Sequence, residues 1–358
     1  MRIAVLGVGL IGGSIGLAAR ARLDADVAGY DPDSELLGRA RERGAVSSAH
    51  ESVRSACRQA EIVFCASPVA ALPELAAAAL EASSDACAVT DVGSVKREAI
   101  AALGSEPRFI GGHPLAGAET AGVENARADL FEGARWYLTP TPRTEGMLYD
   151  RVQRAIAELG ARPQAIDAET HDRLMATVSH LPHVIANVLV AQAADAIADQ
   201  TERPEVGPSF RDATRVAGAN PAIWADIFTA NREAVATEVE TVAARLGKIA
   251  ELLRAGDPEA LRSWHADAAA GRRELLEAEL AGGPLNELRV RVPNKPGIVA
   301  ELALALGRGG VNIEDMALYP AADMRTGAVS LYIAGDEEVE RAAKLVRELG
   351  HDVSRVER

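Results

Sequence analysis

Basic residues are in deficit: 38 lysines and arginines face 52 aspartates and glutamates, for a net charge of −14. That deficit excludes a long nucleic-acid track, because affinity for a phosphate backbone comes mainly from Lys and Arg. An acidic protein that takes an anionic substrate needs a local cationic pocket, so individual arginines near the chemistry become informative. Cysteine is scarce too. Cys57, Cys65 and Cys87 form no CxxC pair, which argues against a disulfide framework or thiolate zinc site and suits a reducing compartment. No metal is expected: His180 and His183 lack a carboxylate or thiolate at ligand spacing, and Pro182 intervenes. No apolar run of about 20 residues is expected to cross a membrane. Residues 1–21 have the outline of a secretory leader, yet Gly7, Gly9, Gly12, Gly13 and Gly16 interrupt the apolar run, so a cytoplasmic protein is expected.

What is present is a globular composition, 48% hydrophobic and 25% charged over 358 residues, enough for two or three domains. In residues 1–166, short apolar runs at 3–6, 27–30, 62–66, 88–91, 109–111, 136–139 and 163–166 alternate with helical stretches, and Gly160 closes a helix that begins near Glu145. This is the pattern of a parallel, doubly wound α/β sheet covered by helices. Residues 167–281 lose the strand signals and read as an all-helical domain. Within it, residues 185–197 (IANVLVAQAADAI) are apolar on nearly every side, which burial between subunits or within one subunit would explain. After a linker, residues 286–358 read as a small α+β unit in the order βαββαβ, opened by Leu288, Val290 and Val292 alternating with Arg289 and Arg291.

Gly7, Gly9 and Gly12 form GxGxxG between the first strand and a helix that begins with Leu10 and Ile11, and Asp31 ends the second strand. The first glycine makes a tight turn, the second admits a pyrophosphate and the third allows close packing, as in a Rossmann-type dinucleotide fold. The helix start then receives negative charge. An acid at Asp31 suits the ribose hydroxyls of NAD and repels the phosphate of NADP, so NAD is the expected cofactor.

Two further loops leave the sheet where open α/β folds bind ligands. One runs from Asp91 through Ser94 to Lys96, and the other runs from Gly111-Gly112-His113-Pro114 to Gly117 and Glu119. Lys96 reads either as a contact to a substrate or cofactor anion or as a surface residue. The helical region adds Ser179-His180-Leu181-Pro182-His183, then Phe210 to Arg215, Asn220-Pro221 and Trp224. Together these motifs resemble the prephenate and arogenate dehydrogenases over the chain up to Leu280. The resemblance implies NAD-dependent oxidative decarboxylation of prephenate to 4-hydroxyphenylpyruvate in tyrosine biosynthesis, or of arogenate to tyrosine directly, by a homodimer. It makes His113 the group that deprotonates the ring hydroxyl, with Ser94 beside it. It sets His183 and Arg215 on the substrate's anionic side, Glu119 at the mouth of the site and Trp224 in its wall. The chemistry asks for a neutral imidazole as base and a guanidinium for a carboxylate. Activity should then decline below the ordinary histidine value of about 6.5.

Two other classes fit less well. The β-hydroxyacid dehydrogenases use a lysine early in the second domain, and residues 170–199 contain none. A nucleotide-binding sensor without enzymatic activity would not need Ser94, His113, His183 and Arg215 together. The last unit resembles an ACT domain through Asn294-Lys295-Pro296-Gly297 and through Asn312. That resemblance implies an amino-acid effector, for which L-tyrosine, the pathway's end product, is the candidate.

Overall fold

In β1 (Arg2–Leu6), Ile3 and Val5 enter one buried apolar cluster while Ala4 and Leu6 enter another. Ile62 and Phe64 divide from Val63 and Cys65 in the same way in β4 (Ile62–Cys65). Successive side chains point to opposite faces of a strand, so a strand apolar at every position must be covered on both sides. The computed structural model describes residues 1–117, 122–198, 205–277, 284–293, 298–311, 313, 315–321 and 325–356. The chain divides into two compact units, Met1–Arg245 and Leu246–Arg358.

The first unit is built on β1, β2 (Asp26–Tyr30), β3 (Ser48–Ala49), β4, β5 (Ala88–Asp91), β6 (Phe109–Pro114), β7 (Arg135–Thr139) and β8 (Arg162–Ala165), in the order β3-β2-β1-β4-β5-β6-β7-β8. The order reverses between β1 and β4, and at such a reversal the loops leaving the carboxyl ends diverge and open a crevice. All seven expected strands are present, and β3 is an addition. The expectation of a wholly parallel sheet is corrected: β7 runs antiparallel to β6, and β8 follows β7. Between β6 and β7 the described residues carry a single 3-10 turn, Val123–Asn125, and no helix. A parallel return would have required a long crossover, usually helical.

The helices Ala168–Met175 and Leu181–Ala196 are joined through a five-residue π segment, Ala176–His180, into 29 residues of continuous helix. Asp167 caps its start by accepting from the Thr170 amide at 2.8 Å. Of Leu181–Ala196, Ala186 alone is buried, and Val188, Leu189 and Val190 are exposed. Burial within this chain therefore does not account for the apolar run. The helix also corrects the expectation that no segment of spanning length exists, since by length and a mean hydropathy of 1.5 over its best window it could cross a membrane. The helices Pro208–Thr214, Pro221–Ala230 and Arg232–Ala255 follow.

In the second unit the helix Pro258–Glu277 precedes β9 (Leu285–Pro293), the helix Ile298–Arg308, β10 (Asp315–Pro320), β11 (Thr326–Ala334), the helix Asp336–Glu348 and β12 (Asp352–Arg355). The strands form an antiparallel sheet in the order β10-β11-β9-β12. Leu288, Val290 and Val292 face its buried cluster, and Arg289 and Arg291 face outward. Asn294, Gly297 and Asn312 lie outside the described residues.

Candidate active site

The loop after β1 turns at Gly7, whose φ of +91° and closeness to the Ala66 carbonyl leave no place for a side chain. A Cβ on Gly12 would lie 1.9 Å from the Gly7 oxygen, whereas one on Gly9 would meet nothing within 4 Å. Gly9 therefore faces open space at the start of the helix Leu10–Leu23. Asp31 leaves the end of β2 and accepts from the Val8 amide through Oδ2 and the Asp33 amide through Oδ1, both at 2.9 Å. Each carboxylate oxygen has two acceptor positions, so both retain one for a ribose hydroxyl. This glycine turn, open helix start and half-used carboxylate fit a dinucleotide.

Beyond β4 and β5, three strands along from β1, β6 carries His113 at its carboxyl end. Glycines precede it because β6 is crowded on both flanks: a Cβ on Gly111 would meet the Thr139 hydroxyl at 2.2 Å, and one on Gly112 the Asp91 carbonyl at 2.5 Å. Farther along this loop, Gly117 has no left-handed φ and a Cβ on it would meet nothing within 4 Å, while Gly122 has a φ of +92°. His113 Nδ1 lies 2.9 Å from His171 Nε2, and His171 Nδ1 lies 2.8 Å from Asp172 Oδ1. Sequence reasoning missed both partners, and His171 and Asp172 are fully buried. The pair gave little signal, because it stands in a helix that also carries Glu169, Thr170 and Arg173. His113 is half-buried, and burial, then His171, Lys96 and His180, hold its ring well below the ordinary histidine value. That direction sets the ring below the ordinary value of about 6.5 on which the expected pH dependence rests.

Lys96 is not a surface residue, and the anion it meets is a side chain of the protein itself. Its side chain is wholly buried, its ammonium pairs with the equally buried Asp91, and it donates to the Gly112 carbonyl at 2.7 Å. Asp91 also accepts from the amides of Gly93 and Gly112, which satisfies a charge that burial would otherwise penalise. Ser94 stands half-buried in the loop between β5 and the helix Arg97–Leu103, at the carboxyl end of the strand beside β6.

The helical side brings His180, His183 and Trp224 together. The His183 ring stacks on Trp224 with centroids 3.4 Å apart, and His180 meets the same indole edge-on at 5.9 Å. His183 Nδ1 donates to the Ser179 carbonyl at 3.0 Å, which leaves Nε2 as the acceptor of the neutral ring. His180 is a packing residue: Asn231 reaches its Nδ1 at 3.2 Å, and burial, against the pull of Asp172, pushes it down to about 4. Arg215 is exposed at the start of the 3-10 turn Arg215–Gly218. Glu119 lies outside the described residues.

Residues 15–164 match the family described as prephenate dehydrogenase, nucleotide-binding domain, and residues 167–266 match prephenate dehydrogenase, dimerization domain. A prephenate dehydrogenase of Bacillus subtilis is 29% identical over 96% of this chain and 95% of its own. A cyclohexadienyl dehydrogenase of Zymomonas mobilis is 33% identical over 72% of this chain and 90% of its own. Among solved structures, the prephenate dehydrogenase of A. aeolicus in complex with hydroxyphenyl propionate and NAD+ is 31% identical, with a TM-score of 0.70 over 77% of this chain and 98% of that one.

Proposed function

The chain belongs to the prephenate dehydrogenase family, and from that premise we propose how its residues share an NAD-dependent oxidative decarboxylation. It is an oxidoreductase that uses NAD and acts as a prephenate dehydrogenase. NAD, when bound, supplies the hydride acceptor. The Gly7–Gly12 turn with Leu10 and Ile11 would hold its pyrophosphate, and Asp31 its ribose.

His113 takes the proton of the ring hydroxyl. The observation that carries this role is that Nδ1 is held by His171 while no described residue bonds Nε2. Depression of its proton affinity keeps the ring neutral and able to accept a proton at neutral pH. Ser94 shares the hydroxyl from the adjacent loop. Arg215 and His183 take the carboxylates, Trp224 walls the site by fixing the His183 ring, and Glu119 stands at its mouth. Loss of carbon dioxide makes the ring aromatic, so the enzyme's main task is orientation. Arogenate, with an amine in place of the side-chain keto group, is the second reading. Incubation with NAD and either compound should raise absorbance at 340 nm, and the ratio of kcat/KM values assigns the preferred substrate. No turnover with either overturns the reading.

The domains divide as 1–166 for the nucleotide, 167–281 for substrate and dimerisation, and 286–358 for regulation. The homodimer forms through the exposed run containing Val188, Leu189 and Val190. The last unit acts as an ACT domain for L-tyrosine; its βαββαβ order and antiparallel sheet support this. Three free, buried thiols suit a cytoplasmic location.

A further inference from the structure

We infer that His171 and Asp172 are positioning residues that decide which nitrogen of His113 carries its proton, an inference that rests on His113 acting as the base. The argument starts at the buried end. The Asp172 carboxylate accepts from the Lys96 amide at 2.7 Å through Oδ1 and from the Arg97 amide at 2.9 Å through Oδ2. Asn231 Nδ2 donates to the Asp172 backbone carbonyl at 2.8 Å. Both the side chain and the backbone of Asp172 are thereby fixed, and its oxygens act as acceptors.

His171 Nδ1, 2.8 Å from Oδ1, must then carry a proton, since a lone pair there would face a carboxylate lone pair. A neutral imidazole with its proton on Nδ1 has an acceptor at Nε2. That acceptor faces His113 Nδ1 at 2.9 Å, so His113 keeps its proton on Nδ1 and presents the Nε2 lone pair. The ring of Tyr137 meets His171 edge-on at 5.6 Å and confines its plane. Lys96 and His180 are the other titratable groups acting on His113.

In the reaction the substrate O–H bond breaks, its proton forms a new N–H bond at His113 Nε2, and the O–H electron pair forms the carbonyl as hydride leaves the carbinol carbon for the acceptor that bound NAD would supply. The ring carboxylate departs as carbon dioxide, and its C–C electron pair returns through the ring to that oxygen. The resulting imidazolium still donates from Nδ1 to His171. Asp172 stabilises the developing charge through that intermediate ring, much as an aspartate orients and supports the histidine of a hydrolase triad.

The test is nitrogen NMR of the protein labelled with 15N-histidine; the chain has seven histidines, and the signals of His113 are assigned by their loss in His113→Asn. At pH 7 to 8 the full-length enzyme should show a protonated Nδ1 and an unprotonated Nε2 at His113. His171→Leu should move that proton to Nε2 or divide it between the two, and lower kcat about 10- to 1,000-fold, short of the full worth of a general base. The KM for NAD should stay within about twofold, since the nucleotide loop is untouched. His171→Gln, which restores an acceptor, should recover much of the lost kcat. A His113 proton on Nε2 in the wild-type enzyme overturns the inference, as does a wild-type kcat in His171→Leu. Should His171→Leu fail to fold, the wild-type spectrum alone decides. A proton on Nδ1 in an enzyme that turns over neither prephenate nor arogenate supports the proton assignment and removes the proposed reaction, so the two failures are distinct.

Discussion

The ammonium of Lys96 and the carboxylate of Asp91 form a fully buried ion pair, and the same ammonium holds the carbonyl of Gly112, the residue before His113. The loop after β5 and the end of β6 are thus tied at one point. Lys96→Met would leave Asp91 charged, buried and without a cation, at a cost of about 3 to 5 kcal/mol. Denaturant titration should show this as a lower midpoint with an unchanged slope. A loss below about 1 kcal/mol would place the tie elsewhere.

His113→Asn keeps much of the side chain's volume but removes the base. Its kcat should fall about 100- to 10,000-fold. The acid limb of the wild-type kcat/KM should also lie well below pH 6.5, because burial, then His171, Lys96 and His180, lower the affinity of His113 for a proton. The neutral, competent form therefore persists as pH falls through the usual histidine range and is lost only at lower pH. A limb centred near 6.5 would contradict the geometry.

Asp31 serves both the cofactor and the loop, since it accepts from Val8 within the glycine turn. Asp31→Ser should weaken NAD more than NADP in steady-state kinetics. Equal losses for both would mean that its role is confined to holding the loop.

Arg215→Ala should raise the substrate KM roughly tenfold to a hundredfold, the worth of one charge-assisted contact of about 1.5 to 3 kcal/mol. The change should fall on KM rather than kcat if ground and transition states share the contact. A KM equal to wild type would place Arg215 outside the site.

L-tyrosine should inhibit the enzyme through the last unit, and Gly297→Val should abolish that inhibition with uninhibited turnover nearly intact. Inhibition of equal strength in the variant would locate tyrosine at the catalytic site instead.

The sheet was legible because its strands announce themselves as short apolar runs, and 88–91 coincides with β5 residue for residue. Gly160 likewise ends the helix Gly146–Glu158 with a φ of +98°. Strand direction was less legible: the reversal at β7 depends on what joins it to β6, and apolar periodicity carries no sign of direction. The partners of His113 were hidden for a different reason. Asp172 meets the Lys96 amide across a wide gap in sequence, and neither residue type announces a buried role in a local pattern. Lys96 itself reads as a contact to a ligand anion or as a surface residue until Asp91 and Gly112 are brought around it in three dimensions.

The π segment Ala176–His180 sets the rotational phase of everything after it. His183 follows His171 by twelve residues, and at about 100° per residue an unbroken α-helix would turn the two about 120° apart. One wide turn takes up a single extra residue, so the twelve steps turn the helix like eleven and the offset shrinks to about 20°. The ring that contacts His113 and the ring stacked on Trp224 are thereby directed to nearly the same side of one continuous rod. Making this turn regular without removing a residue would leave the rod helical and swing His183 away by about 100°, more than a quarter of a revolution, whereas deleting one residue from it would keep the offset at about 20°.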